Sequence, residues 1–502
     1  MNQTLSNPFK SPNAAEPLAS MLQESIHRFL ADYRNGVTNF SCFSSIFSRL
    51  LYQLPDPPLE IVWFYSAVTF HSTNFTAQDH SARVSAVKDL FQLLVSCSAS
   101  CSSIKRIAVL GPVVYELYNL GFDKEDLEGE IESLLEGIYS YISMCCGNGV
   151  ELGDGDDLLG SSFLDVIRVW VVDRIGVGDG LRAFFPIASD DVRAGITGCG
   201  VGYLAGVVMV EAFLLKLCFK FRLELSRARL ESDLRNWAVQ AINGFRYFYF
   251  FDGLLRMLLE PVLPVTKLLS SKDDNLLHEV LYDSVIMVEE HSFLNPHVGL
   301  QLPDECLKKL AVTWLLVTDN AIRNNEDQTK VISYTNALSE SCLLSQLIKW
   351  VMDQSCMKGT IFRPNISTPV ALIKWMLLVE DQGLQIFDSY DYKVRARAVI
   401  CKSRVECVLP VTNPDGKNME GSDLEMADST DTVSVAADGM IDSTANGMRK
   451  RKGMIDGEEL QVKFFKYCQK SVRELLGNDD GLSSESEVDN PVPDGDTEDM
   501  QH

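Results

Sequence analysis

Cysteines and clustered acids are the side chains in this chain that could bind a metal or act as nucleophiles. The 13 cysteines include no C-x-x-C pair. A helix would place Cys97 and Cys101 on one face, but a zinc site needs a second pair of ligands that the sequence does not supply. The acids Asp154, Asp156 and Asp157 lack the spacing and the final glutamate of a calcium loop. We therefore interpret the cysteines as buried, reduced thiols and predict no metal and no other cofactor.

A short glycine-rich stretch matches the residue pattern of one cofactor-binding motif but not its structural context. Gly200, Gly202 and Ala205 fit the pattern G-x-G-x-x-A of dinucleotide-binding turns. That turn works between a strand and a helix, whereas the preceding Asp190–Thr197 has no strand character. The chain contains no P-loop, no H-E-x-x-H and no G-x-S-x-G pattern. The sequence favours a non-enzymatic protein, with an unrecognised enzyme assembled from distant residues kept as an alternative.

The charge of −24 is unevenly spread along the 502 residues. Residues 412–502 hold 21 acidic and 9 basic side chains, and residues 394–462 contain no aromatic side chain. Such a stretch cannot bury enough apolar surface to offset the entropy lost on ordering. We predict a disordered N-terminus at 1–16, a helical body at 17–410, a disordered linker at 411–456, an amphipathic helix at 457–477 and a disordered acidic tail at 478–502. The N-terminus has no signal-peptide layout, so we expect an intracellular protein.

Apolar residues recur at three- and four-residue steps through the body, which is typical of amphipathic helices. Phe40–Leu54 is one such stripe, and Pro55 ends it. Lys393–Ala398 alternates basic and apolar residues and fits either a strand or a polar helix face. We predict an all-α fold, an irregular α-solenoid. The other stripes are Val84–Val95, Leu127–Ile142, Phe163–Val172, Leu234–Leu259, Leu276–Val288, Cys306–Val317, Leu343–Met352 and Val370–Val379.

Segments such as Val84–Leu120 contain two helices around a Cys/Ser turn and a break at Gly111–Pro112. This arrangement resembles armadillo or HEAT repeats. The overall plan is similar to the helical non-SMC subunits that load or regulate the DNA-repair SMC (structural maintenance of chromosomes) complex. It is also similar to other armadillo-like chromatin and transcription cofactors. The resemblance implies a scaffold or adaptor in a multi-subunit complex.

One stretch keeps a membrane alternative open. The segment Ala194–Val210 contains no charged residue, and Ala212–Leu215 extends it beyond Glu211. Its length lies at the lower limit of about 17 residues for a bilayer span. Gly202 and Gly206 form a small-xxx-small pair of the kind found where membrane helices pack together. We favour a buried core helix, with a membrane-associated protein anchored through 194–215 as the alternative.

Two basic patches stand out against the acidic background. The first consists of Lys216, Lys220, Arg222, Arg227 and Arg229. The second consists of Lys393, Arg395 and Arg397, followed by Lys402 and Arg404. Each is either a solvated or internally paired face or a local contact for phosphate or an acidic partner. Because the net charge repels phosphates, we expect direct nucleic-acid binding to be weak or absent.

The C-terminal region carries the most specific localisation signal. A basic tetrad, Arg449, Lys450, Arg451 and Lys452, lies in the polar linker and is typical of a nuclear import signal read by importin. The helix predicted after it presents an apolar stripe for a partner: Leu460, Phe464, Phe465, Cys468 and Val472. Ser484 and Ser486 each have an acid three residues later, as substrates of acidophilic kinases do. The sequence thus predicts a nuclear scaffold that binds other proteins in chromatin, DNA-repair or transcription-related complexes.

Overall fold

The structure is a computed structural model that describes residues 15–73, 80–121, 128–147, 157–174, 180–222, 227–269, 271–288, 303–355, 364 and 367–406. Of these residues, 81% are helical and none lies in a strand, so the all-α prediction is confirmed for this part of the chain. The chain divides into two units, 1–412 and 413–502, and every described residue belongs to the first. The predicted linker after Glu406, the tail helix and the acidic tail lie outside the described residues.

The first helices are α1 (Ala15–Arg34), α2 (Ser41–Gln53), α3 (Leu59–His71), α4 (His80–Cys97), α5 (Ser103–Ala108), α6 (Gly111–Leu120), α7 (Glu128–Cys146), α8 (Phe163–Trp170), α9 (Gly180–Phe184) and α10 (Asp190–Ala194). They are followed by α11 (Ile196–Arg222), α12 (Arg227–Phe245), α13 (Phe248–Leu258), α14 (Ser271–Ile286), α15 (Asp304–Asn324), α16 (Gln328–Glu340), α17 (Cys342–Ser355), α18 (Pro369–Asp381) and α19 (Tyr390–Glu406). Two 3₁₀ turns, Val172–Arg174 and Pro264–Leu268, accompany them.

Local sequence explains where α18 begins. The hydroxyl of Thr368 accepts a hydrogen bond from the Ala371 N–H at 3.2 Å, and Pro369 occupies the first turn of α18. An N-cap hydroxyl satisfies one of the free N–H groups of a helix start, and proline there removes another donor. Along α18, Leu372, Ile373 and Met376 are then buried on one face, as the predicted stripe requires.

Four elements show the structure correcting or completing the sequence prediction. The stripe Leu234–Leu259 is divided between α12 and α13, because the backbone of Arg246 takes a left-handed conformation with φ of 46°. Helix α3 has no stripe to detect, since it is apolar and buried around most of its circumference. Lys393–Ala398, left open between strand and helix, lies inside α19. Helix α1 begins at Ala15, two residues before the predicted body.

Helix α11 is the central element of the core. It contacts α5, α6 and α7 from the N-terminal half and α10, α12 and α13 around it. It is also the one helix among the described residues that is long and apolar enough to cross a membrane, because its most apolar 18-residue segment has a mean hydropathy of 1.8. All residues of that segment are buried inside the protein. Its apolar character is therefore accounted for by packing against these six helices.

The glycine pattern in α11 serves this packing. Gly200 has φ of 79°, a left-handed conformation that favours glycine, and interrupts the regular helix there. A Cβ atom at Gly200 would lie 2.8 Å from the backbone oxygen of Asp157. The element before it, α10, is helical. The strand that a dinucleotide-binding turn requires is thus replaced by a helix, in line with the sequence argument against that motif.

Helix α15 holds the C-terminal half together. It packs against α13 and α14, which precede it in the sequence, and against α16, α17, α18 and α19, which follow it. Trp314, which is fully buried, donates its indole N–H to the Val285 carbonyl of α14 at 3.1 Å. Arg323 donates to the Val399 carbonyl of α19 at 3.2 Å. These bonds fix α14, α15 and α19 relative to one another.

Candidate protein-binding groove

Part of the first basic patch is buried and connects helices within the fold. Lys216 is only 4% exposed, and its ammonium pairs with Glu136 of α7 and lies 4.1 Å from the ring centre of Tyr139. Burial lowers its pKa, although the hydrogen bond to Glu136 opposes that shift. Lys220 lies 5.8 Å from the ring centre of Trp237 of α12. The Lys216 ammonium also lies 5.2 Å from the ring centre of Trp237, so Lys216 joins α7, α11 and α12.

The remaining members of this patch differ in position. Arg222 is exposed at the C-terminal end of α11. Arg227 and Arg229 belong to the first turn of α12, and their side chains lie outside the described part of the chain. The structure thus separates the buried Lys216 from the surface-exposed end of the same patch.

The second basic patch lies along α19 and is largely engaged within the protein. Lys393 pairs with Glu380 of α18 at 2.8 Å. Arg395 donates to the Leu259 carbonyl at 2.7 Å and to Glu260 at 3.3 Å. Arg397 and Lys402 are exposed. Arg395 therefore secures α19 against the end of α13, whereas Arg397 and Lys402 lie at the surface.

Arg395 lies where two cavities meet. The larger has a volume of about 950 Å³ and the smaller about 330 Å³, and both are lined by Leu259, Glu260 and Arg395. The larger cavity continues between α14, α15 and α19 to the start of α16. We call the larger cavity the polar groove; its characteristic lining residues are Glu260, Asn275, Asn320, Asn324, Arg395 and Lys402.

Side-chain amides are the distinctive groups of the polar groove. Asn320 and Asn324 stand four residues apart on α15 and so share one face of that helix. Asn275 faces them from α14, and Asn325 follows α15. Each amide offers an oxygen acceptor and an NH₂ donor. This combination matches the alternating N–H and C=O groups of an extended polypeptide backbone.

Positively and negatively charged side chains lie beside these amides. Lys330 at the start of α16 pairs with Glu279 of α14 at 2.9 Å. Burial lowers the pKa of Lys330, but its acidic neighbours outweigh burial and raise the pKa overall. Asp274 has a buried Oδ1 with no hydrogen-bond partner among the described residues, and His278 Nδ1 stands 3.6 Å away. The groove is thus a mixed polar surface, suited to peptide contacts rather than to an apolar ligand.

A charged network lies beneath the smaller cavity. The Arg256 guanidinium bonds to Asp191 Oδ2 at 2.7 Å and to the Tyr203 hydroxyl at 2.7 Å. Asp252 is fully buried and accepts a hydrogen bond from Lys309 at 2.8 Å. These side chains connect α10, α11, α13 and α15 across the core. Arg256 and Asp191 also line the cavity wall.

The pKa values in this network favour a structural role over acid–base chemistry. Burial would raise the pKa of Asp191, but the hydrogen bond and charge of Arg256 outweigh it and lower the pKa. Burial raises the pKa of Tyr203. A general acid or base works best with a pKa near the working pH, and both shifts lead away from neutrality. We therefore assign the network to positioning the walls of the smaller cavity.

The predicted C-terminal sites lie outside the described residues. They are the basic tetrad Arg449, Lys450, Arg451 and Lys452, the stripe residues Leu460, Phe464, Phe465, Cys468 and Val472, and the serines Ser484 and Ser486. Each stays a prediction.

Sequence reasoning identified Arg395 but missed the asparagines around it. Asn275 and Asn320 belong to no motif, and they approach Arg395 only because α14, α15 and α19 pack together. A scan for amides spaced four residues apart would have found Asn320 and Asn324 but not their partners on other helices. Comparison of the chain with known proteins finds no matching family model, no similar curated protein and no similar solved structure.

Proposed function

We propose that this chain is a non-enzymatic nuclear scaffold whose polar groove binds an extended segment of a partner protein. The observation that carries the proposal is the amide-lined groove of about 950 Å³ between α14, α15 and α19. Its volume is in the upper part of the range of about 300–1,000 Å³ for ligand pockets. Its amides and mixed charges suit a polar backbone better than a flat apolar surface. The complexes in question are chromatin, DNA-repair or transcription-related assemblies.

The packing order of the helices supports an irregular α-solenoid. Many contacts join near neighbours in sequence, such as α2 with α3, α3 with α4, α12 with α14, α13 with α15 and α18 with α19. Stacked helical units that contact their neighbours build extended surfaces for partners. The contacts of α8 with α1 and α3, and of α11 with α5, connect more distant helices. These long-range contacts make the proposed solenoid irregular.

The positions of the charged side chains support a protein partner over nucleic acid. Lys216, Lys393 and Arg395 pair with acids of the same chain, so their charge is already compensated. A nucleic-acid surface needs several uncompensated cations to release counterions from the phosphates. The burial of α11 likewise favours a scaffold over a membrane-anchored protein. Nuclear localisation rests on the basic tetrad.

Affinity purification from nuclear extract with a groove variant tests the proposal. The variant is the pair Asn275→Ala and Asn320→Ala, which removes one amide from each wall. The matched control is Asn336→Ala, because Asn336 is exposed on α16 and lines no cavity described above. We expect at least one protein to be recovered equally with the wild-type chain and the control. With the groove variant, about tenfold less of this protein should be recovered, which corresponds to a loss of about 1.4 kcal/mol in binding free energy.

The segment of that protein that binds is then identified with overlapping synthetic peptides and its affinity measured by fluorescence polarisation. Thermal unfolding of all three proteins checks that the fold is intact. Identical protein sets for the wild-type chain, the groove variant and the control, with unchanged melting temperatures, would show that the groove is not the binding site.

A further inference from the structure

The polar groove has two sides that carry charges of opposite sign. Helix α15 packs against both α14 and α19, so Leu316, Asn320 and Ala321 of α15 form the floor of the groove. Helix α14 forms one side. The start of α16 belongs to the same side, because Lys330 pairs with Glu279 of α14 at 2.9 Å. Helix α19 forms the other side, and we call the two the α14 side and the α19 side.

The α19 side is basic. Arg395 and Lys402 line it, and none of the described α19 residues in the lining is acidic. Arg395 is paired with Glu260 from the end of α13, although its side chain remains 44% exposed. Lys402 is exposed and belongs to no ion pair within the described ranges. Lys402 is therefore the main cation that this side offers to a ligand.

The α14 side is acidic. Its described lining contains four acids and one lysine: Asp274, Glu279, Glu326, Asp327 and Lys330. Lys330 already compensates Glu279. A protonated His278, whose Nδ1 lies 3.6 Å from Asp274, would compensate that acid as well. Glu326 and Asp327 are both exposed and form no ion pair in the described part of the chain, so they are the anions that this side offers to a ligand.

An extended polypeptide fits a groove of this kind in a defined way. Its backbone N–H and C=O groups lie at right angles to its side chains, and successive side chains point in opposite directions. When the backbone bonds to the amide of Asn320 on the floor, the side chains point alternately to the α14 side and to the α19 side. From Leu316 to Asn325 the lining follows α15 for about 14 Å, at about 1.5 Å per helical residue. About four residues of extended chain span that distance.

We infer that the polar groove selects a segment of a partner protein in which basic and acidic residues alternate. The basic side chains contact Glu326 and Asp327 on the α14 side, and the acidic side chains contact Lys402 on the α19 side. A purely acidic or purely basic segment would place half of its charges beside a side of the same sign, which is unfavourable. This inference rests on the proposed function, because it names the kind of segment that the groove binds.

Fluorescence polarisation with two labelled octapeptides and the purified full chain tests this inference. One peptide repeats Lys-Glu four times, and the other repeats Lys-Lys-Glu-Glu twice. Both have the same composition and no net side-chain charge, and both are too short to form a stable helix alone. In an extended conformation only the first peptide places all its lysines on one side and all its glutamates on the other. Exposed ion pairs are individually weak, so we expect the alternating peptide to bind about fivefold more tightly.

Two variants with the same change in charge separate position from net charge. Lys402→Glu makes both sides of the groove acidic and should abolish the preference for the alternating peptide. Lys374→Glu changes the charge equally at an exposed position of α18 outside the groove and should keep that preference. An octalysine peptide should bind Lys402→Glu about fivefold more tightly than Lys374→Glu. A misfolded protein cannot produce a gain that depends on where the charge is placed.

Three results would overturn the inference. They are equal affinity for the two octapeptides, no binding of either peptide at concentrations up to about 1 mM, and identical affinities in Lys402→Glu and Lys374→Glu.

Failure of the proposed function would give a different result. If the pair Asn275→Ala and Asn320→Ala leaves peptide binding unchanged, the peptides bind elsewhere and the groove is not the binding site. If this pair weakens binding while the order of the charges has no effect, the groove binds peptides and only the selection of alternating charge is wrong.

Discussion

Gly206 of α11 faces Tyr249 of α13 so closely that no side chain fits between them. A Cβ atom added to Gly206 would lie 2.6 Å from Tyr249 Cβ and 2.7 Å from the Tyr249 carbonyl carbon. Because one of these atoms belongs to the backbone, a rotamer change cannot relieve the overlap. The small residue that suggested a membrane-helix interface in the sequence is therefore used for close helix packing inside the body.

The first prediction follows from this contact. We expect Gly206→Ala to lower the free energy of unfolding by about 1–3 kcal/mol, the usual cost of overpacking a core. The control is Gly244→Ala on α12, which has no atom within 4 Å of its added Cβ. This control should stabilise the protein by about 0.5–1 kcal/mol through helix propensity alone. Guanidinium denaturation of both variants measures the difference. Equal stability of the two variants would contradict the close packing of α11 against α13.

The second prediction concerns Glu211, a fully buried carboxyl group on α11. Its Oε1 accepts hydrogen bonds from the N–H groups of Ile187 at 3.0 Å and Ala188 at 2.7 Å, while Oε2 has no partner among the described residues. Burial raises its pKa from 4.5 to about 8, against the effect of these bonds and of the Arg193 charge. The native protein therefore holds a proton that the unfolded chain releases above about pH 4.5.

This difference makes stability depend on pH. A raised native pKa contributes stability that is present below the unfolded pKa and is lost as the pH rises through the native value. We expect Glu211→Gln, which cannot ionise, to gain stability relative to wild type between pH 5 and 8, by up to about 1.4 kcal/mol per pH unit. Melting temperatures across this range measure the gain, with Glu24→Gln on the exposed face of α1 as control. A difference that stays constant with pH would contradict the buried, protonated state.

The third prediction concerns nuclear import. Importin binds extended basic runs by charge, so replacing Arg449, Lys450, Arg451 and Lys452 with alanine should move a fluorescent fusion from the nucleus to the cytoplasm. Quantitative imaging of the nuclear-to-cytoplasmic ratio provides the measurement. The control replaces Lys463, Lys466, Lys470 and Arg473, which removes the same charge from the neighbouring segment. An unchanged ratio in the tetrad variant would exclude the tetrad as the import element.

The fourth prediction concerns the apolar stripe of the predicted tail helix. Phe464 and Phe465 each contribute on the order of 2 kcal/mol when buried, and a short isolated helix is marginal without such burial. We expect Phe464→Ala combined with Phe465→Ala to remove a specific partner from pull-downs and to leave the thermal unfolding of the body unaltered. Tyr467→Ala, which removes an aromatic ring outside the stripe, is the control. A lower melting temperature with no partner lost would mean that the helix belongs to the fold.

Periodicity in the sequence located most of the helices, because amphipathic helices leave a stripe that short-range analysis detects. The interior helix α3 left no such trace, since it is buried on nearly all sides. The boundary between α12 and α13 depends on one residue, Arg246, whose positive φ no composition rule predicts. The helical state of α19 was also beyond local analysis, because alternating basic and small apolar residues fit two structures.

The cavities were less accessible to sequence reasoning than the helices. Arg395 was noticed for its charge, but its bonds to the Leu259 carbonyl and Glu260 join residues about 135 positions apart. Tyr33 of α1 and Trp170 of α8, which line another cavity, likewise lie far apart in the sequence. Such pairs are determined by tertiary packing, on which a single sequence without aligned relatives gives no direct information.

The central position of α11 has a consequence for synthesis of the chain. Helices α5, α6 and α7 complete their packing only against residues 196–222. Domains fold during synthesis at about 5–20 residues per second. The apolar faces of α5, α6 and α7 that pack against α11 therefore stay uncovered for several seconds, until residues 196–222 have been synthesised. During this interval the nascent chain exposes surface that chaperones recognise, and a truncation before Arg222 would make that exposure permanent.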